Sequence, residues 1–377
     1  MPMVVVALCR AGFEREAALD LAAIANAARL AIRCETTPGE ARVVAHVDGD
    51  DAASWHRAAA GRPPVFVRTW FAGTGAHVLA ADGDRRPDRI AALVAAFDAL
   101  ARMPGHEPPW LAPWIEYPDT NEGKALSPLA QMLDARLAAA LRERGLVRDG
   151  AATRAHVSLV DGRRAYVGTC AAGHEPRWPL GIPRLRMPRE APSRSTLKLA
   201  EAIAVFLGPR ERELLHIGQA AVDLGAAPGG WTWQLVARGL QVTAVDHGAL
   251  SPALARDVNV EHVRADGFAW RPRRPVDWLV CDIVERPSRV ASLVADWIAS
   301  GATARAVFNL KLPMKSRHDE VARCEAQMRS RFESAGVDAT VAFRHLYHDR
   351  EEVTGYVEAG GRGPGRRRDR GRPARAT

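Results

Sequence analysis

Residues 223–231 constrain the fold of this chain more than any other segment. They read Asp-Leu-Gly-Ala-Ala-Pro-Gly-Gly-Trp after the apolar residues 220–222, which predicts a buried strand, a glycine-rich turn and then a helix. Glycine has no Cβ, so such a turn can adopt unusual dihedral angles and let a ligand lie against the backbone. The G-x-x-x-G-G spacing differs from the G-x-G-x-x-G of dinucleotide sites and favours S-adenosylmethionine as the ligand.

Acidic residues follow the next predicted strands at regular intervals. Asp246, Asp266 and Asp282 each come at or just after the end of an apolar, strand-like stretch. Because ligands bind at the carboxyl ends of parallel strands, we expect these carboxylates to converge with the glycine turn on one crevice. Asp246 could then hold ribose hydroxyls and Asp266 an adenine amine. Taken singly, such an aspartate is more often a helix cap or turn residue.

Two lysines and a late glutamate extend this pattern. Lys311 follows the strand-like residues 306–310, Lys198 lies just upstream of the predicted first helix of the domain, and Glu352 begins a late strand. An isolated lysine is usually solvated. Lys311, however, is expected beside Asp282 on the ligand side of the sheet. The chain therefore carries a Lys, Asp, Lys, Glu set in this order.

This set resembles that of the Rossmann-like methyltransferases that modify ribose 2′-hydroxyls with a Lys-Asp-Lys-Glu tetrad. Further segments make the resemblance more specific, to the bacterial 23S ribosomal RNA cytidine 2′-O-methyltransferases. These segments are residues 191–198, 222–231, 309–315 and 346–354, with 8–14 and 119–124 in the N-terminal half. The resemblance covers nearly the whole chain except the tail. Ala227 stands where a cysteine is expected, a departure that affects no catalytic group.

The resemblance implies a role for each matching residue. Lys311 would accept the proton of the 2′-hydroxyl, and Lys198, Asp282 and Glu352 would complete the tetrad. The methyl donor S-adenosylmethionine would contact Ser195, Ala227, Pro228, Gly229, Gly230, Asp246, Asp266 and Asp282. A lysine is a base only when neutral. A second cation or burial lowers its pKa and carboxylates raise it, and the sequence leaves this balance open.

Other chemistries fit the residues less well. Amino-directed enzymes carry a D/N-P-P-aromatic motif where this chain has residues 282–285, Asp-Ile-Val-Glu. Carbon-5 enzymes need a thiolate, but strand alternation turns Cys281 away from the ligand side. A dehydrogenase could use Asp246 on a nicotinamide ribose, but the glycine spacing and the lysine pair argue against it. His345 and His348 lack a third ligand, so we expect no metal.

The N-terminal half shows the periodicities of small α+β units. Residues 3–9 and 41–47 look like strands and residues 13–30 like a helix. A second unit contains a helix at 89–103, a strand at 114–117, a polar loop at 118–124, a leucine-rich amphipathic helix from 126 and a hairpin turning at 161–162. By resemblance, the first unit is a ferredoxin-like domain and the second a THUMP-like RNA-binding domain.

The predicted fold class is α/β, with a Rossmann-like methyltransferase domain preceded by the two α+β domains. The same patterns divide the chain into five parts. The parts are residues 1–60, ferredoxin-like; 61–174, THUMP-like; 175–193, a linker with Arg184, Arg186 and Arg189; 194–359, the methyltransferase; and 360–377, a disordered tail. The linker arginines could touch phosphate or be solvated.

The net charge and the cysteine content indicate which partners and which cellular compartment to expect. The net charge is +8 over 377 residues, and the tail, with seven arginines and Asp369, holds +6 of it. The tail could add salt-sensitive phosphate affinity or be a solubilising extension. Five scattered cysteines without a C-x-x-C pair, and no apolar stretch of bilayer length, fit a reduced cytoplasm.

We therefore predict a cytoplasmic monomer that binds 23S ribosomal RNA, with no membrane partner. The alternatives are a non-catalytic RNA-binding factor in ribosome assembly and a methyltransferase acting on another RNA.

Overall fold

The computed structural model describes residues 3–48, 52–171 and 177–360, and two β-sheets organise this part of the chain. The strands are Met3–Cys9 (β1), Ile32–Thr36 (β2), Arg42–Val47 (β3), Val67–Gly73 (β4), His77–Val78 (β5), Leu111–Glu116 (β6), Thr153–Leu159 (β7), Arg164–Ala171 (β8), Ala220–Leu224 (β9), Gln241–Val245 (β10), Val260–Val263 (β11), Val276–Cys281 (β12), Thr303–Lys311 (β13), Ala339–Arg344 (β14) and Glu352–Ala359 (β15). The α-helices are Glu14–Ala28 (α1), Ala52–Gly61 (α2), Arg89–Leu100 (α3), Asn121–Lys124 (α4), Ser127–Glu143 (α5), Thr196–Ala202 (α6), Glu211–Leu214 (α7), Gly230–Val236 (α8), Pro287–Ala299 (α9) and Arg317–Ala335 (α10).

The N-terminal sheet has the strand order β2-β3-β1-β4-β8-β7-β6, and β5 pairs with β8. The antiparallel pairing of β7 with β8 confirms the predicted hairpin. Strands β1 and β4 pair along Val6 and Phe71, so one sheet runs through both units predicted for this half. The helices α3 and α5 pack on the β6–β8 end, and Leu133, Leu137 and Leu141 form the buried face of α5.

The C-terminal sheet has the order β11-β10-β9-β12-β13-β15-β14. The pairs from β11 to β13 are parallel, whereas β15 is antiparallel to both β13 and β14. The strand order reverses at β9 and β12, and this is where ligands bind in open α/β sheets. The Rossmann-like fold class predicted from the sequence is confirmed.

Helices cover both faces of this sheet because its strands alternate apolar side chains between two cores. Phe308 of β13 packs in the core formed with α9 and α10, which contains Trp297 and Phe332. Its neighbour Val307 faces the opposite core, which contains Trp231 of α8. Each such side chain stabilises the fold by about 1.5–3 kcal/mol when fully buried. Trp231 is 2% exposed, so it packs the helix onto the sheet.

The structure differs from the sequence prediction in one loop. Residues 118–124 were expected to be a polar loop, but Asn121–Lys124 form one helical turn. The hydroxyl of Thr120 accepts the N–H of Gly123 and caps this turn, which explains why a polar segment is helical here. Most of the predicted tail, residues 361–377, lies outside the described residues. No helix within the described ranges has the length and apolar character needed to cross a membrane.

Candidate functional site

The register of two strands brings the predicted tetrad residues together. Strands β13 and β15 pair Lys311 with Glu352 and, two residues earlier on β13, Asn309 with Thr354. Because side chains two apart on a strand share a face, both pairs lie on the same side of the sheet. Asp282 directly follows the neighbouring strand β12 and reaches the same place. Lys198 comes from the first turn of α6, whereas the sequence had placed it upstream of the helix.

Each lysine of the tetrad contacts both carboxylates. Lys311 Nζ lies 2.6 Å from Asp282 Oδ1 and bonds to Glu352 Oε2. Lys198 Nζ lies 3.8 Å from Asp282 Oδ2 and pairs with Glu352 Oε1. The side chains are 7–25% exposed, so all four charges are largely removed from solvent. The tetrad is therefore a compact group of two cations and two anions.

Opposing effects act on the proton of Lys311. Burial is the largest influence and lowers the pKa of Lys311, but the charges and hydrogen bonds of Asp282 and Glu352 together outweigh it. The net pKa is raised above the usual value of a lysine. This settles a balance that the sequence left open, and it means that the ammonium form of Lys311 is favoured when the tetrad stands alone.

Sequence reasoning missed three buried residues that support the tetrad. Asn309 donates from Nδ2 to Asp282 Oδ1 over 3.1 Å, and Thr354 bonds to both Asn309 and Asp349. All three are 0% exposed. Asn309 could have been found by the period of two that places it on the face of Lys311. The other two could not, because their positions depend on how β15 pairs with β13.

The glycine turn after β9 has the backbone shape that its sequence predicts. Gly225 and Gly229 have φ angles of +76° and +110°, which other residues rarely adopt. A Cβ on Gly230 would collide with the hydroxyls of Ser195 and Ser193. Ser195 also accepts the indole N–H of Trp231 at its carbonyl oxygen, over 3.1 Å. The predicted donor residue Ser195 therefore lies directly against the turn formed by Ala227, Pro228, Gly229 and Gly230.

The acidic residues are placed unequally around this turn. Asp246 accepts the N–H of Ala227 over 3.0 Å and that of Gly248 over 2.7 Å, so it is tied to the turn. Asp266 is exposed, and its carboxylate accepts the N–H of Phe268 in its own loop over 2.9 Å. In the described part of the chain no contact joins Asp266 to the tetrad or to Asp246.

Asp223, inside β9, is fully buried. Burial, with a smaller contribution from the charges of Asp282 and Asp246, raises the pKa of Asp223 to about 7, although the hydroxyl of Thr232 donates to its carboxylate and acts in the opposite direction. Three carboxyl groups thus influence one another at the carboxyl end of the sheet. Such a site disfavours anions and suits a positively charged ligand, and the glycine turn supplies backbone against which this ligand can lie.

The remaining candidates lie where they serve packing. Cys281 is 0% exposed, and burial raises the pKa of its thiol to about 12. His348 bonds through Nδ1 to Glu201 over 2.6 Å. His345 is buried against Phe13, with 4.1 Å between ring centroids, and burial lowers its pKa to about 3. Among the described residues, no group of three or more His, Cys, Asp or Glu side chains is arranged to hold a metal.

A cavity of about 710 Å³ opens on the tetrad between the two halves of the chain. Its lining includes Lys198 and Glu352 together with four further cationic side chains, and these are Arg10, Lys124, Arg194 and Arg350. Arg10 joins the halves by donating to the carbonyl oxygens of Tyr347 and Asp349 over 3.1 and 2.8 Å. Cationic side chains thus outnumber acidic ones in the lining, and the tetrad members that line the cavity are Lys198 and Glu352.

Comparisons with known proteins match most of this chain. The sequence matches the family models "FtsJ-like methyltransferase" over residues 191–347, "Ribosomal RNA large subunit methyltransferase M, N-terminal" over 88–171 and "RlmM ferredoxin-like domain" over 1–71. A protein of Aromatoleum aromaticum named "Ribosomal RNA large subunit methyltransferase M" is 46% identical over 365 residues, covering 93% of this chain and 94% of its own. A protein of the same name from Methylococcus capsulatus is 45% identical over 361 residues, covering 95% and 98%.

Solved structures are more distant. TrmN from Thermus thermophilus aligns with 95% of this chain and 99% of its own at 16% identity and a TM-score of 0.37, a likeness too low to support an argument.

Proposed function

The chain belongs to the ribosomal RNA large subunit methyltransferase M family, and from this premise we propose that it methylates the ribose 2′-hydroxyl of a cytidine in the peptidyl-transferase region of 23S ribosomal RNA. The observation that supports this chemistry most directly is the tetrad, in which each lysine contacts both carboxylates and of which Lys198 and Glu352 line a cationic cavity.

The tetrad suits a reaction in which a weakly acidic hydroxyl must lose its proton. S-adenosylmethionine, when bound, supplies a methyl group on a positively charged sulfur. Lys311 accepts the hydroxyl proton, and Asp282 and Glu352 hold its Nζ in place. Any positive charge brought beside Asp282 competes with Lys311 for that carboxylate and lowers the pKa of the lysine toward the working range. Lys198 balances the second carboxylate charge.

The donor site is the glycine turn with its acidic neighbours. The residues that would hold S-adenosylmethionine are Ser195, Ala227, Pro228, Gly229, Gly230, Asp246, Asp266 and Asp282. The bonds from Asp246 to the turn support a ribose contact there. The contact of Asp282 with both lysines supports its double role in donor binding and catalysis. Asp266 binds the N–H of Phe268 through Oδ1, and its second carboxylate oxygen could accept a hydrogen bond from the ligand.

The cavity lining supports RNA as the partner. Phosphodiester groups are bound mainly by Arg and Lys side chains, and these line the cavity from both halves of the chain. Arg10 and Lys124 come from the N-terminal half, whereas Arg194 and Arg350 come from the catalytic half. A strand of RNA lying along this cavity would present one ribose to the tetrad.

Because both halves of the chain line the cavity, we assign a separate role to each part of the chain. Residues 1–60 and 61–174, with the linker 175–193, would recognise RNA, and residues 194–359 would carry out the methyl transfer. We propose a THUMP-like role for the second unit because its Lys124 reaches the catalytic cavity. Since the proposed substrate is bacterial ribosomal RNA, the protein would act in the cytoplasm. It would act as a monomer, which light scattering of the purified chain would test.

The test of this function is methyl transfer from labelled S-adenosylmethionine to unmodified 23S ribosomal RNA, followed by nucleoside analysis of the product. We expect the label in 2′-O-methylcytidine. Label in a base-methylated nucleoside would contradict the lysine mechanism. Donor binding without any transfer would instead favour another RNA or a non-catalytic role in ribosome assembly.

The Lys311→Ala variant tests the assignment of the base. It should lose at least about 100-fold in kcat, the lower end of the usual contribution of general acid–base catalysis, and should keep its affinity for S-adenosylhomocysteine. Lys315→Ala is the matched control, because Lys315 is an exposed lysine just beyond β13. Equal activity of Lys311→Ala and Lys315→Ala would remove Lys311 as the proton acceptor.

A further inference from the structure

A row of buried hydrogen bonds extends from Asp282 away from the lysines. Asn309 Nδ2 donates to Asp282 Oδ1 over 3.1 Å, and Thr354 Oγ1 lies 2.9 Å from Asn309 Oδ1. Thr354 Oγ1 also lies 3.2 Å from Oδ1 and 3.0 Å from Oδ2 of Asp349. We call Asn309, Thr354 and Asp349 the buried relay. All three are 0% exposed, so bulk water cannot replace any of these partners.

The number of protons on each group determines which group donates in each hydrogen bond of the relay. Asp282 faces two ammonium groups and acts as an acceptor, so the amide NH₂ of Asn309 points to it and the amide oxygen points to Thr354. The hydroxyl of Thr354 has one proton, and the oxygen of Asn309 takes it. The contact between Thr354 and Asp349 can then be a hydrogen bond only if Asp349 provides the proton.

The surroundings of Asp349 fit a neutral carboxyl group. Burial raises the pKa of Asp349 well above its usual value, and the charge of Glu352 acts in the same direction. The N–H of Leu346 donates to Oδ2 over 3.0 Å, which leaves Oδ1 to carry the proton. Among the residues that the structure describes, no cationic side chain forms an ion pair with Asp349.

We propose that the buried relay, with Asp349 protonated, fixes the carboxylate of Asp282 and so positions the two lysines of the tetrad for methyl transfer. This inference rests on the proposed function. The relay residues act through Asp282 and are positioning residues. Asp282 meets Lys311 with one oxygen and Lys198 with the other, so a rotation of its carboxylate would displace both lysines. Small displacements of reacting groups cost large factors in rate.

Paired substitutions separate this role from a packing role. Thr354→Val keeps the shape of the side chain but removes both hydroxyl bonds, and it should lower kcat about 10–100-fold while KM for RNA stays within about threefold. Thr354→Ser restores the hydroxyl and should recover most of the activity. Thr340→Val is the matched control, because Thr340 is exposed on β14 and its hydroxyl bonds only weakly, over 3.3 Å, to Glu358.

Two variants of Asp349 test the proton itself. In Asp349→Asn an NH₂ group can donate to Thr354 while the amide oxygen accepts the N–H of Leu346, so kcat should stay within about threefold of the native value. Asp349→Leu cannot donate and should lose as much kcat as Thr354→Val. Unchanged kcat in Thr354→Val would overturn the relay, and an equal loss in Asp349→Asn and Asp349→Leu would overturn the protonation.

A measurement without RNA tests the relay independently of the proposed function. A neutral Asp349 contributes stability that is lost as pH rises from its unfolded pKa of about 4 toward its raised folded pKa. The melting temperature of Asp349→Asn should therefore rise relative to the native chain between about pH 5 and pH 8. If no RNA is methylated, the proposed function fails. A melting difference that stays constant over this range would then overturn the relay as well.

Discussion

At the scale of single residues, the surroundings of Lys311, the proposed base, favour its protonated form. Burial alone would lower the pKa of Lys311, and Asp282 and Glu352 raise it by more. Because only the neutral amine accepts a proton, the fraction of competent enzyme grows as pH rises toward this raised pKa. The same carboxylates that hold the lysine in place therefore limit its activity at neutral pH.

This balance predicts the pH dependence of the reaction. Single-turnover methyl transfer should increase by roughly tenfold per pH unit below the pKa of Lys311 in the complex, and the increase should continue to about pH 9 or beyond. Quenched reactions from about pH 6.5 to 9.5 would measure it. Binding of S-adenosylhomocysteine, measured over the same range, controls for loss of donor affinity. A rate independent of pH between about 7 and 9 would contradict Lys311 as the base.

Cys281 is predicted to be chemically inert although it adjoins Asp282. Its thiol is fully buried with a pKa of about 12, so a thiol reagent should modify the half-buried Cys34 first and reach Cys281 only on unfolding. Peptide mass spectrometry would follow both sites, and methyl transfer should survive modification of Cys34. Labelling of Cys281 in the folded chain, with activity lost in step, would instead favour a thiolate mechanism.

The sequence could predict the tetrad because each of its members stands in a recognisable local pattern. Lys311, Asp282 and Glu352 each adjoin an apolar stretch that reads as a strand. Thr354 and Asp349 carry no such pattern. The role of Thr354 comes from the register of β15 against β13, and that of Asp349 from the buried turn before β15, which are properties of the folded chain.

At the scale of elements, the junction of α6 and α8 decides whether the donor site forms. Gly230 begins α8 where Ser195 precedes α6, and no space remains for a Cβ between them. Gly230→Ala should therefore force the two segments apart and weaken S-adenosylhomocysteine binding by about 1–3 kcal/mol. Isothermal titration calorimetry would measure the loss.

The control for this change is Gly61→Ala at the end of α2. A Cβ on Gly61 would meet nothing within 4 Å, and Gly61 has no positive φ, so donor binding should be unchanged. If Gly230→Ala binds S-adenosylhomocysteine as tightly as Gly61→Ala, the glycine turn does not contribute the close contact proposed for it.

Elements with a clear apolar period could be predicted, and those without one could not. Strand β1 is buried along its whole length and was expected from its run of valines. Strand β2 lies at the edge of its sheet, and its alternation of the partly buried Ile32 and Cys34 with the exposed Arg33 and Glu35 covers too few residues to predict a strand. Helix α4 depends on one capping hydroxyl, a signal too local for periodicity to reveal.

At the scale of the whole molecule, ion pairs and a shared core join the two halves next to the tetrad. Arg317 of α10 pairs with Glu16 of α1 over 3.2 Å and with Glu351 over 2.7 Å. Its guanidinium also lies 4.5 Å from the ring centroid of Phe13. Glu351 immediately precedes Glu352 of the tetrad. The N-terminal half is therefore attached next to β15, the strand that begins with Glu352 of the tetrad.

We expect Arg317→Met to loosen this attachment while keeping most of the side-chain volume. The side chains of Arg317 and Glu16 are only 15% and 8% exposed, so losing the bond between these charged groups should lower the free energy of unfolding by about 1–3 kcal/mol. Amide hydrogen exchange should increase in both α1 and the start of β15. Methylation of RNA should fall, because the cavity is lined from both halves, whereas binding of S-adenosylhomocysteine should persist.

Arg323→Met on the same helix separates docking from a general loss of charge. Arg323 is 71% exposed and pairs only with Glu320 one turn away, so its loss should change stability by less than about 0.5 kcal/mol. Increased exchange confined to α10 in both variants would show that Arg317 stabilises its own helix. Increased exchange in α1 and β15 for Arg317→Met alone would show that the halves must be held together for the tetrad to meet its RNA.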